Sequence, residues 1–161
     1  MVKDARDTGV IVLTLTAYNY ARAFANFKYI TKKLSTTTPA VLAYDDASKC
    51  AFDALGVAAV RVRQPKRWSR NRFFIVLKTH PTLLALKAGY RVIFSEMDIF
   101  WLRDPLEFVQ TRNVSRIFRN CSEPADMLVA KHRHGHEANY GFFIANSTDA
   151  VLILCGNRSA S

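Results

Sequence analysis

Glu96 and Asp98 stand one residue apart behind an apolar run, in the stretch Val92-Ile93-Phe94-Ser95-Glu96-Met97-Asp98-Ile99-Phe100-Trp101-Leu102-Arg103-Asp104-Pro105. Two carboxylates so spaced suit one hard divalent cation. If the strand pleat continues through them, residues 96 and 98 point to the same side and Met97 packs the other way. Mg²⁺ or Mn²⁺ held by so few protein oxygens keeps coordination positions open for water and a substrate phosphate. Acidic residues at strand ends also serve as helix caps and loop solvation, so the triplet alone does not separate the two uses.

Other groups offer less. His132, His134 and His136 alternate and can bind Zn²⁺ or Ni²⁺, yet Lys131 and Arg133 repel a cation and Gly135 favours a solvated basic loop. Cys50, Cys121 and Cys155 form no CxxC pair, so neither a disulfide framework nor a zinc site is indicated. The chain contains no GxGxxG, no GxxxxGK[ST] and no GxSxG, which removes the usual support for dinucleotide binding, P-loop phosphoryl transfer and α/β-hydrolase chemistry. Lys78 falls on the helix before the carboxylate strand, where it can reach a phosphate or simply face solvent.

The elements that must position Glu96 and Asp98 follow from periodicity. Gly89 ends a helix, and Arg91 to Phe94 reads as a buried strand of a parallel sheet. In open α/β sheets ligands gather beyond the carboxyl ends of such strands, which is where the two acids fall. Upstream, Gly9 to Thr16 is a first buried strand. Asn19 can cap a helix carrying Ala23, Phe27, Ile30 and Leu34 at helical spacing, and Thr36 to Pro39 breaks it. Ala40 to Tyr44 is a second strand, Ala47 to Leu55 a helix stopped by Gly56, and Val57 to Val62 a third strand. Ser69 can cap a helix over 70–79, with Pro81 kinking it or starting a second segment to Ala88.

Beyond Pro105 the pattern loosens through an irregular connection from Thr111 to Pro124. Ala125 to Ala130 and Gly141 to Ala145 read as further strands, with Asn146 or Ser147 capping a last helix through Ala150, Val151 and Leu154. Strands alternating with helices imply right-handed crossovers and a doubly wound, mainly parallel sheet. The chain stops at this last helix, so the sheet is expected to lack final elements at its C-terminus.

The 161 residues fit a single domain spanning 1–161, and with 50% hydrophobic residues a substantial core forms without disulfides. Lys and Arg number 23 against 13 Asp and Glu, a net charge of +10 that favours phosphorylated partners. The clusters at Lys66-Arg67, Arg70 to Arg72 and Lys131 to Arg133 carry no RNA-binding or zinc-finger signature, so nucleic acid is not the expected partner. No stretch approaches the ~20 apolar residues of a membrane span, and the polar Met1 to Thr8 lacks a signal-peptide core. Asn113, Asn120, Asn146 and Asn157 stand in glycosylation sequons, four of the eight asparagines, which favours a lumenal compartment.

Taken together, Lys78, Leu83-Leu84, Gly89-Tyr90, the block from Val92 to Pro105, and Asn139-Tyr140-Gly141-Phe142-Phe143 resemble the nucleotide-diphospho-sugar transferases of plant and algal cell-wall synthesis, which include xylosyl- and arabinosyltransferases. The resemblance extends upstream through Asn26-Phe27 and Tyr44-Asp45. It implies a GT-A fold, a Rossmann-like sheet binding a UDP-sugar, with Mn²⁺ or Mg²⁺ bridging protein and diphosphate. Carried over, Asp98 becomes the principal metal ligand, and Glu96 replaces the family's first aspartate near the ribose or the metal shell. Thr14, Thr16 and Tyr18 approach uracil and ribose, Asp45 the nucleoside, and Lys78 the phosphates, while Asn139 and Gly141 border sugar and acceptor.

The activity so implied is transfer of a xylose, arabinose or galactose-class sugar to a hydroxyl of a glycan or glycoprotein, with retention of configuration, in the Golgi lumen or secretory pathway. Two other readings compete: a noncatalytic or truncated nucleotide-sugar-binding domain, and a basic nucleic-acid-binding α/β domain.

Overall fold

The computed structural model describes residues 5–16, 21–34, 39–43, 45–62, 69–110, 126–131 and 138–157. In chain order these form α1 (Ala5–Thr8), β1 (Val10–Thr16), α2 (Ala21–Leu34), β2 (Ala40–Ala43), α3 (Asp46–Ala54), β3 (Ala59–Arg61), α4 (Arg70–Lys87), β4 (Arg91–Ser95), α5 (Pro105–Gln110), β5 (Met127–Lys131), β6 (Ala138–Ala145) and α6 (Asp149–Asn157). The strands make one sheet in the order β3-β2-β1-β4-β6-β5. β3, β2, β1 and β4 run parallel, with Leu13 opposite both Ala40 and Phe94. β6 lies antiparallel between β4 and β5, with Ser95 opposite Phe142.

Both faces of this mainly parallel sheet are covered, which is why β1 and β4 are nearly continuous apolar runs rather than alternating ones. On one face Val10, Val12, Val41 and Ile93 pack with Phe24 and Phe27 of α2 and Phe52 of α3. On the other, Leu13, Val92, Phe94 and Phe143 pack with Leu83 and Leu86 of α4 and Val151 and Cys155 of α6. The doubly wound arrangement expected from the alternation of elements is therefore present. Among the α2 side chains described, Phe27 of the expected stripe and Phe24 beside it are buried, and Phe24 meets Phe52 edge-on at 4.6 Å between ring centroids.

Four local expectations are corrected. Of the two readings of Pro81, a second segment is removed, because α4 is one helix that continues through it. Proline removes one backbone donor, but Leu77, Thr82, Leu83 and Leu86 are buried, and the Thr82 hydroxyl donates to the Lys78 carbonyl at 2.7 Å. The last helix is entered through Thr148, whose carbonyl accepts from Leu152 at 2.9 Å, and not through Asn146 or Ser147; Ser147 Oγ instead donates to the Leu86 carbonyl at 2.7 Å, tying α6 to the end of α4. β3 is shorter than Val57 to Val62, and β6 starts three residues earlier than Gly141.

α4 ends where β4 must begin. Tyr90 N–H donates to the Ala85 carbonyl at 3.1 Å and Gly89 N–H to Leu86 at 2.9 Å, around a Gly89 φ of 85°. This two-bond stop needs a left-handed residue, which glycine adopts without steric cost. Arg91 then pairs at once with the Gly9 carbonyl, 2.9 Å away, setting the register that carries Glu96 past the end of the sheet.

Candidate functional site

The sheet grows from β1 toward β2 and β3, then returns to place β4 on the other side of β1. The crevice outside the carboxyl ends of β1 and β4 is thus the topological switch point, the place where open α/β sheets bind ligands. Thr16 closes β1, and Glu96 directly follows β4.

The pleat does not continue through the two acids, contrary to the sequence expectation. β4 ends at Ser95, and residues 96–99 form a turn closed by Ile99 N–H on the Glu96 carbonyl at 3.2 Å. Met97 does pack away from Glu96, against the face carrying Phe27 and Trp101. The turn is pinned from behind. Trp101 is buried, donates from Nε1 to Ser95 Oγ at 3.1 Å, and meets Phe27 edge-on at 5.7 Å. Asp104 then accepts from Leu106 N–H at 2.9 Å, with Pro105 as first helical residue, so α5 starts with an acidic cap followed by proline.

Four of the residues singled out from sequence come together here. Glu96 Oε1 is ion-paired with Lys78 Nζ, and that nitrogen also lies 5.6 Å from the centre of the Phe94 ring. Glu96 N–H donates to the Gly141 carbonyl at 2.7 Å, and Gly141 N–H donates to Asn139 Oδ1 at 2.8 Å. Asp98 follows in the exposed turn and has no hydrogen-bond or ion-pair partner among the described residues. The site is therefore a neutralised carboxylate beside an uncompensated one.

Three further sequence candidates lie on β1 and just beyond the carboxyl end of β2. Thr14 lies inside β1, 0% exposed, and its Oγ1 has no hydrogen-bond partner. Thr16 is buried at the strand end. Asp45 caps α3, accepting from Ser48 N–H and Ser48 Oγ, both at 2.6 Å. Tyr18 and the three histidines lie outside the described residues, as do the Asn19 cap, the Lys66-Arg67 cluster, Cys121 and the sequons at Asn113 and Asn120. Sequence reasoning missed the Ser95 to Trp101 clamp and the Phe94 ring beneath Lys78. Neither has a local signal, because each joins residues whose proximity depends on the strand end or on helix-to-sheet packing.

Behind Lys78 is an apolar cavity of about 200 Å³, bordered by Ile75, Thr82, Met127, Phe143, Leu154 and Cys155. Lys78, Thr79 and Tyr140 also line it but most of its wall is apolar, so the polar cluster at the strand ends is the better candidate for charged chemistry. The donor set there fits Mg²⁺ or Mn²⁺: Asp98 is accessible and unpartnered, and Glu96 engages Lys78 through only one oxygen. Among the described residues no group of three or more His, Cys, Asp or Glu forms a closed metal cage.

Residues 36–158 match the family model of nucleotide-diphospho-sugar transferases, and the chain belongs to that family. In fold it is similar to the glycosyltransferase GlyE of Streptococcus pneumoniae TIGR4 (TM-score 0.52, 12% identity), covering 93% of this chain and 36% of GlyE. It is similar also to mouse xyloside xylosyltransferase 1 (TM-score 0.50, 9% identity, 94% of this chain and 71% of the other). A third likeness is to CMP:2-keto-3-deoxy-manno-octonic acid synthetase complexed with CTP (TM-score 0.51, 12% identity, 92% and 77%). These likenesses show the fold, a GT-A α/β architecture, and this chain spans about a third of the length of GlyE. Comparison with curated proteins by sequence gives no match.

Proposed function

We propose that this chain carries the donor site of a metal-dependent glycosyltransferase, which moves a sugar of the xylose, arabinose or galactose class from a UDP-sugar to a hydroxyl of a glycan or glycoprotein. The observation that carries the reading is the placement of Glu96 and Asp98 at the switch point of the sheet, in a chain of the nucleotide-diphospho-sugar transferase family. Asp98 and Glu96 would hold Mn²⁺ or Mg²⁺, which when bound supplies Lewis-acid stabilisation of the departing diphosphate and a template for it.

The chain's own groups do the rest. Lys78 brings a positive charge to the end of β4, where negative charge grows as the β-phosphate leaves. Gly141 and Asn139, entering from the reversed strand β6, border the space beyond Glu96 and shape where sugar and acceptor lie. Retention of anomeric configuration and residence in the Golgi lumen or secretory pathway belong to the same proposal, supported by the family resemblance and by the sequons.

Calorimetric titration of UDP tests the reading, with Mn²⁺, then with EDTA, and in Asp98→Ala. Binding that needs both the metal and Asp98 supports it; metal-independent binding, or full binding by Asp98→Ala, removes it. Salt-sensitive RNA binding that survives EDTA would instead favour a nucleic-acid domain.

A further inference from the structure

Lys78 and a divalent cation want the same carboxylate. The Lys78 stem lies against the apolar wall of the sheet, its side chain 20% exposed, and its ammonium sits between the Phe94 ring and Glu96. A partly buried ammonium must keep an anionic partner or lose the solvation it gave up. While Glu96 is that partner, its charge is cancelled for any cation arriving at Asp98. Asp98 itself is outside the contest, being exposed and unpartnered among the described residues.

We infer that Lys78 is a positioning counter-ion whose exchange of partners adds to the linkage between metal and nucleoside diphosphate. The inference rests on the donor-site reading above. A diphosphate at the end of β4 offers Lys78 a replacement anion, and Glu96 is then released to the metal. By reciprocity, a cation drawn onto Glu96 releases Lys78 to the diphosphate by the same factor. Two features make the exchange inexpensive. The Glu96 backbone is fixed to the Gly141 carbonyl at 2.7 Å, so only its side chain has to turn. The Glu96 side chain is 38% exposed, and pairs that solvent reaches are held weakly.

The test is titration of Mn²⁺ alone, followed by calorimetry and by electron paramagnetic resonance of the free ion, and then with saturating UDP. Wild type is compared with Lys78→Met, Lys78→Gln and Lys78→Arg. Without UDP, Lys78→Met and Lys78→Gln are expected to bind Mn²⁺ about three- to fivefold more tightly than wild type, and Lys78→Arg about as wild type. UDP is expected to raise Mn²⁺ affinity in wild type and in Lys78→Met alike, by a factor about three- to fivefold larger in wild type.

Equal Mn²⁺ affinity in wild type and in both neutral variants, with native circular dichroism and an unchanged UDP effect, overturns the linkage role and leaves the donor site standing. Absence of any Mn²⁺-dependent UDP binding in wild type overturns the donor site and the linkage together.

Discussion

A β-carbon placed on Gly141 would lie 2.7 Å from Glu96 Oε2 and 3.0 Å from Asn139 Oδ1. Gly141 lies where the pairing of β6 with β5 shifts register between Asn139 and Phe143, but its φ is not positive, so glycine is needed here for space and not for a left-handed conformation. The atom in the way is the far end of a flexible side chain, so the strand itself can stay. We expect Gly141→Ala to keep stability within about 1 kcal/mol and yet drive Glu96 off Lys78. Released from each other, Glu96 should take Mn²⁺ and Lys78 should take UDP about three- to fivefold more tightly, and Glu96→Asp in the same chain, one methylene shorter, should bring both back toward wild type. A double-mutant cycle on UDP affinity reads this coupling, and strictly additive effects would deny it.

Thr14 gives a stability prediction with the opposite sign. Its hydroxyl is fully buried without a partner, a cost that the isosteric apolar side chain removes. Thr14→Val should raise stability by about 1 kcal/mol, measured by urea unfolding, and leave UDP affinity unchanged. A loss of UDP binding in that variant would return Thr14 to the donor contacts expected from sequence.

Trp101 holds the acidic turn from below. Trp101→Ala should cost about 3–5 kcal/mol through the cavity it opens against Phe27, and it frees the Ser95 hydroxyl. The gentler Trp101→Phe keeps an aromatic ring against Phe27 and removes the Nε1 hydrogen bond with part of the buried indole volume. It should lower stability by about 1 kcal/mol, with Mn²⁺ affinity falling as the turn loosens.

Asp45 serves α3 through its cap. Asp45→Ala should lose about 1 kcal/mol in chemical unfolding, whereas Asp45→Asn, an equally good cap, should stay near wild type. The asparagine variant then isolates any effect of the charge on nucleotide affinity.

Much of the fold was legible because covered parallel strands write themselves as unbroken apolar runs. Val10 to Thr16 and Val92 to Phe94 could be placed that way, as could the helix stop at Gly89. The reversal of β6 was not legible: Gly141 to Ala145 is as apolar as a parallel strand would be, since it too is buried between neighbours. Pro81 left two readings open for a related reason. Local rules count the lost donor but not the buried face of α4 that keeps the helix whole. At the site, Glu96 and Asp98 were visible as a pair, but the turn after Ser95 and the grip of Lys78 depend on contacts distant in sequence. Spacing in the chain does not carry those contacts.

The insertion of β6 between β4 and β5 also bears on how the molecule is made. As the chain is synthesised from its N-terminus, β1 to β4 can assemble first, and β4 then presents an open, apolar edge until residues 138–145 arrive. β5 emerges earlier but pairs only with β6, so it cannot shield that edge in its native register. The stretch that completes the Glu96 cluster is the same one that closes the edge. In this chain, completion of the Glu96 cluster and covering of the β4 edge are one event.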